Sequence, residues 1–285
     1  MSLPDKTRIA HAHLRVKNSA AVETFYRDLL GLREIGRDGS TVSLSPTGKS
    51  PALIILTESP AATPRPHGTT GLFHIAIRYP DRSELSKTLN RIIEQGYPIQ
   101  GAADHAVSEA IYLADPEGNG IELYRDRPRE EWKWRNNEIV MVTDPLDVDD
   151  LLKEAEGKTW SGMHPKTDIG HMHLNVGSLQ DAEKFYHGTI GFDVTTKSYP
   201  GALFVAAGGY HHHLGLNIWA GRNAPPPPEN SIGLISFGIA IPRSGWKSLK
   251  GRLAAGGVRY ESDTPDESLK VYDPNKIEIE LIAVD

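Results

Sequence analysis

Apolar and polar residues alternate from Arg8 to Val16 (RIAHAHLRV), the period of a half-buried strand. A stretch with helical spacing follows, from Ser19, whose hydroxyl is placed to cap it, through Phe25-Tyr26 to Gly31. Thr41 to Leu44 and Ala52 to Leu56 read as further strands. The same order returns with a constant offset from Asp168 to Trp219. There His171-Met172-His173-Leu174 answers His11-Ala12-His13-Leu14, Phe185-Tyr186 answers Phe25-Tyr26, and Gly191-Phe192 answers Gly31-Leu32. Agreement at three separated places marks an internal repeat. The two aromatic pairs lie on helix faces and are expected in the core.

A second unit follows each copy. Leu72 to Arg78 reads as a strand, Asp81 with Glu84 opens a helix that ends at Gly96, and strands follow around Tyr112 and Glu122. Its echo has a strand from Leu234 to Ile241, a helix from Ser244 to Gly256, and strands at Tyr272 and at Glu278 to Leu281. The pattern predicts an α+β fold of four βαβββ modules. Modules 1 and 2 occupy an N-terminal half over residues 7–126, a connector spans 127–167, and modules 3 and 4 occupy a C-terminal half over 168–285. The connector is polar, carries tryptophan, turns helical around Asp149 to Lys153, and is expected to pack on the surface. Ala224-Pro225-Pro226-Pro227-Pro228 reads as stiff, extended chain between modules 3 and 4.

Composition narrows the function. A chain of 285 residues buries about three-quarters of its unfolded surface, enough for two ordinary domains. A net charge of −6 with no basic run argues against nucleic acid or an anionic membrane as the main partner. No apolar run is long enough to span a membrane and Met1 to Lys6 shows no signal-peptide pattern, so a cytoplasmic location is the default expectation. With no cysteine, thiolate catalysis and Cys-ligated metal sites are excluded. Any metal then sits on carboxylate and on some of the 12 histidines.

One stretch concentrates that chemistry. Asp104 to Tyr124 (DHAVSEAIYLADPEGNGIELY) brings His105, Tyr112 and Glu122 together on two strands joined by a tight turn at Asp115 to Gly120. Glu122 alternates with Ile121 and Leu123, so its carboxylate points to the opposite face from them. Either that face is solvated or the carboxylate binds a cation.

His105, Ile111-Tyr112, Asp115-Pro116, Gly118 and Glu122 together resemble the signature of extradiol ring-cleavage dioxygenases. Ala103 departs from it, standing two residues before the His where that pattern prefers Gly, a β-branched residue or Asn. The four modules resemble the vicinal oxygen chelate superfamily (glyoxalases, bleomycin-resistance proteins, extradiol dioxygenases), in which two modules pair to make an open barrel that cups one metal; four modules forming two open barrels are what this resemblance implies. The nearest resemblance is to four-module catechol 2,3-dioxygenases of the Bacillus type. It implies a non-haem Fe(II), with Mn(II) as the alternative, held by two His and one carboxylate. His74 and Glu122 of module 2 match two ligands. His171, which follows Gly170, matches the third, with His173 two residues on as its competitor and His11 as its counterpart in module 1. The resemblance makes Tyr112 a catalytic phenol, places His105 near it in an orientation left open, and puts an acid–base His at His212, with His213 or His211 as fallbacks.

Modules 2 and 3 together supply a complete set. Modules 1 and 4 have His11 and Glu280 but Gly238 where the second His belongs, and module 1 has no His at Ser50 to Ile55. Modules 2 and 3 are therefore expected to share the active barrel, leaving a degenerate barrel from 1 and 4. The implied substrates are a small aromatic diol, catechol or hydroquinone, and O2. Two rivals stand beside this reading. A glyoxalase-type isomerase calls for a second carboxylate, and Asn217-Ile218-Trp219 ends module 3 without one; a metal-free binding protein has no need of His74, Glu122, Tyr112 and His212 together. Open barrels with apolar edge strands predict a homo-oligomer.

Overall fold

The computed structural model describes residues 2–285. Module 1 comprises β1 (Arg8–Val16), α1 (Ser19–Thr24) running into a π-helical turn (Phe25–Leu29), β2 (Arg33–Asp38), β3 (Thr41–Ser45) and β4 (Ile54–Glu58). Module 2 comprises β5 (Gly71–Tyr79), α2 (Arg82–Glu94), β6 (Gly101–Asp104), β7 (Ser108–Ala114) and β8 (Gly120–Asp126). The connector carries three short strands, β9 (Trp134–Arg135), β10 (Glu138–Ile139) and β11 (Asp144–Pro145), and α3 (Val148–Lys153). In module 3, β12 (Asp168–Asn175) leads to α4 (Leu179–Ala182) with its π-helical continuation (Glu183–Ile190), then β13 (Asp193–Thr196), β14 (Ala202–Ala206) and β15 (Leu214–Asn217). Module 4 comprises β16 (Gly233–Pro242), α5 (Arg243–Ala255), β17 (Ser268–Tyr272) and β18 (Glu278–Val284). It closes on two strands, with a single bridge from Glu261 to Lys270 where its siblings have a third.

The helix starts follow local capping chemistry. Asp81 Oδ1 accepts the Glu84 N–H at 2.9 Å, as the sequence predicts. At α1 the cap is Asn18, whose side chain accepts the Ala21 N–H, and not the hydroxyl of Ser19, which is already helical. The pairs Phe25-Tyr26 and Phe185-Tyr186 are buried, each packed edge to face.

Module pairing in space crosses the order in sequence. A nine-stranded sheet runs β11-β6-β7-β8-β5-β12-β15-β14-β13, so module 2 joins module 3 through the antiparallel β5–β12 pair. A seven-stranded sheet runs β17-β18-β16-β1-β4-β3-β2 and joins module 4 to module 1 through β1–β16. The alternation dictates what each face does: Ile75 and Ile77 of β5 and Met172 and Leu174 of β12 face the helices in the common core, and the residues between them face the concave side.

Each central pair carries two bulges, and their placement decides where side chains point. On β12, Gly170 is an extra residue opposite Ala76 and Ile77; on β5, Phe73 is an extra residue opposite His173 and Leu174. His171 and His74 each follow directly on a bulge, so a local two-fold relates them. The β1–β16 pair repeats this with Ala10 and Ile235 as the extra residues. The register therefore puts Ser236 at the position equivalent to His74, and Gly238 answers Ala76. The sequence expectation put Gly238 there, because Gly238-Ile239-Ala240-Ile241 resembles His74-Ile75-Ala76-Ile77; the register moves the equivalence two residues back.

The connector differs from the surface segment its polarity suggested. Trp132 and Ile139 are buried against Val107 and Tyr210, β11 pairs with β6, and Met141 to Thr143 form one wall of the cavity described next.

Candidate metal centre and active site

Three buried side chains from three adjacent strands converge on the concave face of the nine-stranded sheet. Nε2 of His74 (β5) lies 2.9 Å from Oε2 of Glu122 (β8), Nε2 of His171 (β12) lies 3.2 Å from the same oxygen, and the two nitrogens are 3.3 Å apart. Register explains the convergence: Ala76 pairs with both Glu122 on one side and His171 on the other, and its methyl leaves the space between them open. These are the one cluster of three or more potential metal ligands found among the described residues. His173, the competitor of His171, pairs with His74 but stays outside the trio, its ring lying over Gly215, and its Nε2 is buried without a partner.

The trio suits a divalent cation. Burial pushes the His171 imidazole down to about 4, so it is neutral near pH 7. Burial opposes the charge on Glu122, but hydrogen bonding from His171 and His74 to Oε2 outweighs it and holds the carboxyl well below its ordinary range. Two imidazoles and a carboxylate on one side of a cavity form the facial set that takes Fe(II) and related metals. Cis donors around an octahedral ion with bonds of about 2.1 Å lie about 3.0 Å apart, close to the three separations found.

A cavity of about 430 Å³ opens over the trio, and Tyr112, His105 and His212 all line it. Tyr112 sits across the β7–β8 hairpin from Glu122, as the tight turn at Asp115 requires. Asp115 shapes that turn, its Oδ1 accepting the N–H groups of Glu117 and Asn119. His105 lies in the β6–β7 turn and not on a strand, beside the left-handed Ala106 (φ 65°). Its Nδ1 is 2.6 Å from the Val142 carbonyl, which only accepts, so Nδ1 carries the proton. Nε2 then accepts from the Tyr112 hydroxyl at 2.6 Å. Burial, with Glu122 nearby, pushes the Tyr112 phenol well above its ordinary range.

His212 packs against His171 with ring centroids 4.0 Å apart and planes tilted by 47°. Behind it runs a chain that sequence reasoning missed. His211 Nε2 donates to Asp126 Oδ1 at 2.8 Å, which leaves Nδ1 of a neutral His211 to accept from Nδ1 of His212 at 2.7 Å. His212 is thereby left with Nε2 unprotonated. Asp126 is also held by Tyr210 at 3.0 Å and by Arg78 at 3.0 Å, and Arg78 grips Asp168 with two hydrogen bonds. His213 lies buried on the other side, its Nδ1 accepting the Ala207 N–H. A signal for Asp126 was available: it falls two and four residues after Tyr124 and Glu122, on the same face of β8. Gly170 also gains a reason, since a Cβ there would meet the Tyr124 hydroxyl, which bonds to Tyr210 at 2.8 Å.

With this geometry described, the chain can be set beside known proteins. A family model described as the Glyoxalase/Bleomycin resistance protein/Dioxygenase superfamily matches residues 8–123 and 168–281. The chain belongs to this superfamily. It is 43% identical over 278 residues to a protein of Bacillus subtilis (strain 168) named Catechol-2,3-dioxygenase, covering 96% of each chain. Over 120 residues it is 25% identical to Biphenyl-2,3-diol 1,2-dioxygenase 3 of Rhodococcus globerulus, covering 42% of this chain and 63% of that one. Among solved structures, a Bacillus subtilis protein provisionally named a dioxygenase superposes with a TM-score of 0.67 at 12% identity, over 99% of this chain and 86% of the other. Glyoxalase I of Zea mays does so with a TM-score of 0.58 at 15% identity, over 98% and 92%. At these identities the structural likeness is one of fold. Within the superfamily, the feature that separates isomerase from dioxygenase readings is the donor set. The position in module 3 equivalent to Glu122, opposite His173 on β15, is Gly215, so no second carboxylate reaches the trio.

Proposed function

We propose that this protein is an extradiol dioxygenase that inserts O2 into a catechol-type aromatic diol at a non-haem Fe(II) held by His74, His171 and Glu122. The observation that carries the reading is the conjunction of that trio with His212 and the Tyr112–His105 pair around one cavity. Bound there, Fe(II) would supply the Lewis acidity and redox chemistry that bring a diol and O2 to reaction, and Mn(II) accepts the same donors. The residues supply the rest. The trio occupies one side and leaves the cavity side free for substrate. His105, fixed by Val142 as the Nδ1–H tautomer, accepts the Tyr112 proton, so that pair takes up a proton from a diol hydroxyl placed beside it. His212, with Nε2 bare, accepts a proton at that atom and returns it as the ring opens, while His211 and Asp126 hold its tautomer. Burial excludes bulk water from His211 and His212, while His105 and Tyr112 are half-buried at the cavity wall. A cytoplasmic, homo-oligomeric enzyme completes the reading, tested by size-exclusion chromatography with light scattering and by cell fractionation.

The test is oxygen uptake by anaerobically Fe(II)-loaded protein given catechols, with absorbance followed for the yellow ring-opened product. Uptake matched one to one by product is the expected result. A loaded protein that consumes no oxygen with catechols or hydroquinones contradicts it.

A further inference from the structure

The cavity over the trio is larger than a bare catechol needs. A benzene ring is held in a cavity of about 150 Å³, whereas this one measures about 430 Å³. More than half of it therefore lies beyond a single ring. The wall of that outer part is aromatic, built from Phe73, Tyr199, Phe204 and Trp219. Phe73 and Trp219 meet edge to face at 5.2 Å across the mouth, and they remain 41% and 47% exposed although they are among the largest apolar side chains in the protein. Such exposure is a cost unless something apolar covers it.

Both rings are held in place by the backbone. Phe73 is the extra residue of the β5 bulge, which turns its side chain out of the usual strand alternation and against His173 at 5.0 Å. The Trp219 indole N–H donates to the Pro200 carbonyl at 3.3 Å and its backbone N–H to Asn217 Oδ1 at 2.9 Å. Tyr199 is tied by its hydroxyl to Thr143 of the connector at 3.0 Å. A preformed mouth of this kind loses little entropy when a ligand enters. Charge selects as well. No Lys or Arg lines the cavity, and its one carboxylate is Glu122. A substituent bearing a negative charge would be desolvated there with no cation to receive it.

We propose, resting on the dioxygenase reading above, that the preferred substrate is a diol carrying a bulky, neutral, apolar substituent, aryl or branched alkyl, which sits between Phe73, Trp219, Tyr199 and Phe204. Bare catechol and carboxylated catechols fit less well.

The experiment compares catechol, a phenyl-substituted catechol and 3,4-dihydroxybenzoate with the Fe(II)-loaded protein, by calorimetric binding under anaerobic conditions and by oxygen uptake in air. The phenyl-substituted diol should bind more tightly and show about tenfold or greater kcat/KM over catechol, the range that added apolar contact confers, with dihydroxybenzoate last. In Trp219→Ala and in Phe73→Ala, both surface changes, the preference ratio should fall by most of that factor. Equal binding of catechol and its phenyl derivative, a preference for the carboxylate, or a ratio unchanged in both variants would overturn the proposal. Ordered binding without turnover of any diol would sink the dioxygenase reading while leaving the subsite; turnover without the order would do the reverse.

Discussion

The two barrels are built on one backbone plan and differ in a few side chains. Both central strand pairs carry bulges at matching positions, and both end in the same turn, with Asp273 Oδ1 accepting the N–H groups of Asn275 and Ile277 as Asp115 does for Glu117 and Asn119. Both keep a first-strand histidine and a last-strand glutamate, His171 with Glu122 in one and His11 with Glu280, 3.5 Å apart, in the other. The rest has diverged. Where the active barrel has His74, Tyr112 and His212, register gives Ser236, Lys270 and Ala52. Lys270 puts a cation beside the remaining acids, 3.1 Å from Glu278. On the proposed reading, the shared frame holds a metal where the facing side chains supply a third donor, and the other barrel has a lysine among its acids instead.

The largest effect should come from the residue with no counterpart. His212→Ala is expected to keep its metal and lose about 10²–10⁴ in kcat, the usual contribution of a positioned acid–base group; steady-state oxygen uptake with metal analysis checks both. Next, the double variant Ser236→His with Lys270→Tyr should raise bound metal towards two per chain without adding a second active site, because Ala52 still lacks an imidazole. Metal stoichiometry by mass spectrometry reads this directly, and a value fixed at one would show that more than these two side chains separates the barrels.

Packing gives a third contrast. Gly170→Ala forces a methyl into the Tyr124 hydroxyl and should cost about 1–3 kcal/mol by overpacking. Ala10 already carries that methyl in the other barrel, so Ala10→Gly should cost at most about 1 kcal/mol. Urea unfolding of both variants makes the comparison.

A further contrast concerns acid. Burial pushes His213 down to about 3 and His13 down to about 4. Below the ordinary imidazole value of about 6.5 the unfolded chain takes up a proton that the folded chain refuses. Stability present above that pH is therefore lost as pH falls, down to about 4 for His13 and about 3 for His213. Replacing either by Gln should flatten the fall in urea midpoint over its own window, more for His213.

What could be read from the sequence follows from what repeats and what alternates. The modules and the Asp115 turn were legible because strand period and turn chemistry are local. Glu122 and His74 were legible through a resemblance that local pattern alone would not have supplied. The His74–Ser236 equivalence was not, because Ile239-Ala240-Ile241 after Gly238 matches Ile75-Ala76-Ile77 after His74, and only the pairing register separates the two alignments. The Asp126–His211 link and the aromatic mouth were also missed. They join β8 to the start of β15, and β5 to the end of β15, across long separations, and the connector that roofs the cavity at Met141 to Thr143 looks like a polar loop in isolation.

The most direct test of the account is the iron content of anaerobically reconstituted protein, compared between Glu122→Gln and Glu280→Gln, two substitutions of the same chemistry at equivalent places. The account predicts close to one iron per chain in the unaltered protein and in Glu280→Gln, and a small fraction of that in Glu122→Gln. Iron retained in Glu122→Gln, or lost in Glu280→Gln, would contradict the assignment of the metal to the barrel of modules 2 and 3.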